Sequence, residues 1–157
     1  MDQEMKQEAR SKKQEVESVV ALDVGEVRVG VAVGELGLSF AFGRGFFKRE
    51  TQAQDIETVR GLLEQESASL VVVGLPTRSD GSYSKQTQRV RSFAKALEDA
   101  GLTVAFEDER FTTRLASQGI ASSGLSKKKR QEKGRLDEAA AVLILETYLA
   151  KCAGGIN

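Results

Sequence analysis

Val19, Val20, Ala21 and Leu22 form an unbroken apolar run, the pattern of a strand buried on both faces. Asp23 stops the run, and Val24 and Gly25 follow. Val27, Val29, Val31 and Val33 then alternate with Arg28, Gly30, Ala32 and Gly34, which predicts a second strand hairpinned to the first. A third strand is predicted over 38–47, where Gly43 and Gly45 mark a bend or bulge. Ile56, Val59, Leu62 and Leu63 share one face of a helix predicted over 52–66. Residues 70–75, LVVVGL, read as a short buried strand of the parallel kind that stops at Pro76, the only proline. A turn at Asp80-Gly81 leads to a helix over 84–100, with Val90, Phe93, Ala94 and Leu97 inward and Gly101 at its end. The remainder reads as a strand over 102–106, a short helix over 112–121, a basic loop and a final helix over 136–151. Three strands followed by alternating helices and strands predict an α/β fold: a mixed five-stranded sheet flanked by helices on both faces.

Composition narrows the chemistry. The 157 residues suit one domain with a real core, and the apolar share of 40% is ordinary for a soluble protein. Residues 1–17 hold nine charges and no apolar stretch, so they read as a solvated tail, with the domain over 18–152. No run is long enough to cross a membrane. Cys152 is the single cysteine, which excludes an internal disulfide and fits the cytoplasm. The absence of histidine removes the commonest general base, every Ser-His-Asp triad and the usual zinc sites. Any catalysis must use carboxylates, lysines, hydroxyls and oxygen-loving metals.

Charge is balanced in total, 23 basic against 23 acidic, but not in distribution. Residues 127–135, KKKRQEKGR, carry six basic side chains and one acid. Such a segment is either a solvated loop or a local grip on a polyanion. Three acidic points stand out: Asp23 at the end of strand one, Glu107, Asp108 and Glu109 after strand five, and Asp137 at the start of the last helix. Asp23 reads as a metal ligand or as an Asx turn, and Asp137 as a ligand or a helix-start acid. Strands one, four and five, if parallel, end at one edge, where α/β sheets build their sites. Two or three carboxylates meeting there would hold Mg²⁺ or Mn²⁺, hard ions that share phosphate as a ligand.

The segments ALDVGEVRVGVAVGE, VVVGLPTRSDGSYSKQTQRVRSFAKAL, DERFTT and LDEAAAVLILETYL stand in order and resemble the four blocks of the YqgF (RuvX) family, covering nearly all of 18–150. Family members commonly have an aromatic after the first Asp and Ser-Asp after the second strand; here Val24 and Gly34-Glu35 stand there. The resemblance implies an RNase H-like fold related to RuvC resolvases, and Asp23, Glu109 and Asp137 as catalytic carboxylates and metal ligands, with Asp108 assisting. It implies a metal-dependent nuclease maturing the 5′ end of pre-16S rRNA in the bacterial cytoplasm, or alternatively a Holliday junction resolvase. Glu107 is the weaker candidate of its run. Arg28, Arg78, Lys85 and Arg110 are candidate phosphate contacts. Lys127, Lys128, Lys129, Arg130, Lys133 and Arg135 could hold structured RNA or branched DNA through its backbone. A monomer and a homodimer are both open. Two other classes remain: a nucleic-acid-binding module without catalysis, and an ATP-binding module of the actin, sugar-kinase and heat-shock ATPase type, which needs a second such domain.

Overall fold

A computed structural model describes residues 17–76, 84–108 and 127–154, with side chains over 132–153 of the last stretch. The tail at 1–16, the loop at 77–83 and the helix predicted over 112–121 lie outside the described residues. The elements run β1 (Ser18–Val24), β2 (Arg28–Glu35), β3 (Ala41–Lys48), α1 (Gln52–Gln65), β4 (Ala68–Leu75), α2 (Lys85–Asp99), β5 (Thr103–Asp108) and α3 (Lys127–Gly154). The sheet order is β3-β2-β1-β4-β5. β1 pairs antiparallel with β2 and β2 with β3, while β1–β4 and β4–β5 are parallel. β1, β4 and β5 therefore end at one edge of the sheet, as the apolar pattern predicts.

Alternation splits the core into two layers. Val20, Leu22, Val24, Val29, Val31, Val33, Val71 and Val73 face Val59 and Leu63 of α1 and Val90, Phe93, Ala94 and Leu97 of α2. Val19, Ala21, Ala32 and Val72 face Ala141, Ile144, Leu145 and Leu149 of α3. Capping boxes at Thr51/Gln54 and Ser84/Thr87 start α1 and α2, each cap contributing about 1 kcal/mol. Gly101, at φ +93°, ends α2 as expected, with the Leu102 N–H donating to Leu97 O. The expected bulge is present: the β2–β3 register shifts between Gly30 and Ala32, and Gly45 has φ +78°.

Two expectations need correction. The basic stretch at 127–135 is not a loop but the first turns of α3, which begins at Lys127 rather than at 136. Lys, Arg, Gln and Glu are good helix formers, so these turns need no apolar stripe to be helical. Asp137 consequently lies about three turns inside the helix and is not a helix-start acid. Strand five also runs further than predicted, taking in Glu107 and Asp108 through the pairs Gly74↔Glu107 and Leu75↔Asp108. Among the described residues no helix is long and apolar enough to cross a membrane.

Candidate active site

Asp23 shares the parity of Val19 and Ala21, so it belongs to the face of the sheet covered by α3. Its antiparallel neighbour is Gly30. A Cβ at Gly30 would overlap the backbone carbonyl of Asp137, so α3 rests on the sheet at van der Waals distance there. Gly43 and Gly134 extend this contact: a Cβ at Gly43 would meet the Glu138 carboxylate, and one at Gly134 the Phe46 ring. Missing side chains along β2, β3 and α3 thus bring Asp137 to the strand beside Asp23. Glycine inside a strand signals such an approach, and VGVAVG carries that signal at Gly30.

Asp137 is not alone. Arg28 Nε donates to its Oδ2 at 3.1 Å, with both side chains mostly covered. Partial burial raises the Asp137 carboxyl above its ordinary value, and the Arg28 hydrogen bond and charge, then the Lys133 charge, oppose that rise. The structure therefore places Arg28 and Lys133 beside a candidate carboxylate. Arg135 is exposed on the same helix, and Lys85 is exposed at the first turn of α2. Lys127, Lys128, Lys129 and Arg130 are described as helix backbone alone. Glu109, Arg78 and Arg110 lie outside the described residues.

The acids of β5 separate by alternation. Glu107 pairs with Gly74, the residue one step beyond the Leu22↔Val73 pair, and lies buried toward α3. Lys151 Nζ stands 2.7 Å from its Oε1, outside hydrogen-bond geometry, so among the described residues this buried oxygen has an ionic partner and no hydrogen-bonded one. Asp108 takes the opposite parity, with Val104 and Phe106, and is not brought to the face of Asp23.

The turn after Asp23 is held from three sides. Gln86 Nε2 donates to Val24 O at 3.0 Å, Arg49 Nη1 to Gly25 O at 3.2 Å, and the Gly25 N–H to Arg28 O at 2.8 Å. Arg49 is in turn fixed by buried Asp55 at 3.3 Å and lies over the Phe93 ring. None of Gln86, Arg49 or Asp55 carried a signal in the sequence beyond ordinary surface polarity.

Among the described residues no three acids or cysteines converge as a metal cage. Asp23 and Asp137 supply two carboxylates without nitrogen or sulfur donors, a set that fits a hard divalent cation completed by substrate oxygens and water.

Residues 17–151 match the family model RuvX, described as Holliday junction resolvase. A Thermus thermophilus protein provisionally named a pre-16S rRNA nuclease is 45% identical over 133 residues, covering 85% of this chain and 97% of that one. Ribonuclease YqgF of Deinococcus radiodurans is 42% identical over 135 residues, covering 85% and 88%. Among solved structures, T. thermophilus RuvC in complex with a Holliday junction substrate superposes with a TM-score of 0.53 at 14% identity, over 88% of this chain and 96% of that one. The last likeness concerns the fold, which is RNase H-like.

Proposed function

The chain belongs to the RuvX family of nucleases, and on that premise we propose that it hydrolyses phosphodiester bonds of structured RNA, maturing the 5′ end of pre-16S rRNA in the cytoplasm. The observation that carries the chemistry is the seat of Asp137 on Gly30, one strand from Asp23 and on the same face. In this reading Asp23, Asp137 and Glu109 hold Mg²⁺ or Mn²⁺. Glu109 is preferred to Glu107 because Glu107 is buried against Lys151.

A bound divalent ion would supply charge for the developing phosphorane and an acidified water, with no histidine needed. The chain's own residues do the rest. Arg28, hydrogen-bonded to Asp137, would be free to pair with a scissile phosphate if Asp137 held the ion. Lys133 and the turns before it lie on the helix of Asp137, so backbone phosphates they hold have a fixed relation to the site. Gln86 and Arg49 keep the carbonyls after Asp23 in place.

The family description favours a second reading, resolution of four-way junctions, which would require a dimer with two sites for symmetric cutting. One panel separates the readings: pre-rRNA fragment, single-stranded RNA, duplex DNA and four-way junction, with wild type and with Asp23→Asn, Glu109→Gln and Asp137→Asn. We expect the RNA to be cut with Mg²⁺ or Mn²⁺, no cutting in EDTA, and a loss of about 10³-fold or more in each variant. Junction cutting in preference to RNA would establish the second reading. Full activity in EDTA or in Asp137→Asn would sink the metal site, and binding without any cleavage would leave a nucleic-acid-binding module.

A further inference from the structure

Glu138 follows Asp137, and its carboxylate is directed at the sheet. Its Oε2 accepts the backbone N–H of Gly45, in the β3 bulge. Gly45 adopts φ +78°, a conformation that costs glycine little. Gly43, at the same bulge, leaves room for the carboxylate: a Cβ there would stand 2.6 Å from both Cδ and Oε2 of Glu138. Eight residues on, Glu146 Oε2 accepts the Ala41 N–H at 3.2 Å, near the start of the same strand. α3 is thus fastened to β3 at two points, and the first adjoins the candidate ligand. A hydrogen bond from an amide to a carboxylate is charge-assisted and roughly twice as strong as a neutral one.

We propose that Glu138 is a positioning residue for hydrolysis: by latching α3 to the β3 bulge it fixes Asp137 over Gly30, and so sets the geometry of the divalent-ion site shared with Asp23. The inference rests on the nuclease reading. Ala141, Ile144, Leu145 and Leu149 key the helix farther along, but around Gly30 backbone rests on backbone. The latch provides that key at the residue where a displacement of about 1 Å costs on the order of 10²-fold in rate.

The test uses the full chain with Glu138→Ala, Glu138→Gln, Gly43→Ala, Glu138→Ala combined with Gly43→Ala, and Glu146→Ala. Three quantities are measured: kcat and KM on the RNA that wild type cuts best, Mn²⁺ affinity of the protein alone by electron paramagnetic resonance, and the thermal midpoint. Glu138→Ala should lower kcat by about 10- to 100-fold, leave KM within about twofold, and weaken Mn²⁺ binding about tenfold. Glu138→Gln keeps an acceptor oxygen and should recover most of the loss. Gly43→Ala should resemble Glu138→Ala on its own and add little to it, because the truncated side chain vacates the space the methyl needs. Glu146→Ala should lower the midpoint as Glu138→Ala does, while kcat and Mn²⁺ affinity stay near wild type. Wild-type kcat and Mn²⁺ affinity in Glu138→Ala would overturn the latch. So would equal damage in Glu138→Gln and Glu138→Ala, which would put the charged carboxylate on the ion itself. A wild type that does not cleave with metal would overturn the nuclease reading, and the Mn²⁺ affinities would still decide the latch.

Discussion

A methyl group at residue 30 would occupy the space of the Asp137 carbonyl and the Glu138 amide nitrogen, both backbone atoms of a long helix. Backbone cannot rotate aside as a side chain does, so Gly30→Ala must lift α3 or push β2. At Gly34 the atoms met are Leu149 Cδ1 at 3.1 Å and Leu145 Cδ2 at 3.2 Å, the ends of flexible side chains. We expect Gly30→Ala to lose about 2–3 kcal/mol of stability and Gly34→Ala about 1 kcal/mol or less, read from urea denaturation midpoints. Cleavage should fall at least tenfold in Gly30→Ala and stay near wild type in Gly34→Ala. Equal behaviour of the two would show that α3 does not need its close seat.

At the scale of elements, α3 joins two properties the sequence presents as separate, a basic segment and a candidate ligand. Changing Lys127, Lys128, Lys129 and Arg130 together to Ala should weaken binding to RNA and DNA alike. The slope of log affinity against log salt should shrink by up to about 0.9 per lost contact on duplex DNA and about 0.7 on single strands. The rate at saturation should change much less, because binding common to ground and transition states is lost. Wild-type affinity and slope would mean that these turns touch no phosphate. The start of α3 was not legible because apolar periodicity begins only near Leu136, and polar helix formers leave no stripe to read. The end of β5 was hidden similarly, since Glu107 and Asp108 break the apolar run while their backbones continue the ladder. The strands themselves were legible, because burial on both faces leaves a mark on every residue from Val19 to Leu22. Gly30 showed that something approaches the strand but not what, and Glu138 showed nothing, because their partners lie about a hundred residues away in the chain.

At the scale of the whole molecule the two faces of the sheet have different work. The layer under α1 and α2 is a valine-rich core, with Asp55 its buried charge, tied to Arg49. The layer under α3 sets the smaller sheet residues Ala21 and Ala32 beneath Ile144, Leu145 and Leu149, and ends in carboxylates. Among the described residues β3 lies at the border of the sheet, with a neighbouring strand on one side alone, and carries exposed Phe42 and Phe46, with exposed Phe40 just before it. A strand of this kind offers its free amides and apolar rings as a template on which other chains can grow. Two of those amides, at Ala41 and Gly45, are already taken by Glu146 and Glu138. On that ground the fastenings of α3 are expected to oppose self-association. Replacing both glutamates by Ala should lower the concentration at which warmed samples scatter light and bind thioflavin, before any change in the far-ultraviolet spectrum. Colloidal behaviour identical to wild type would show that the bulge alone protects this border.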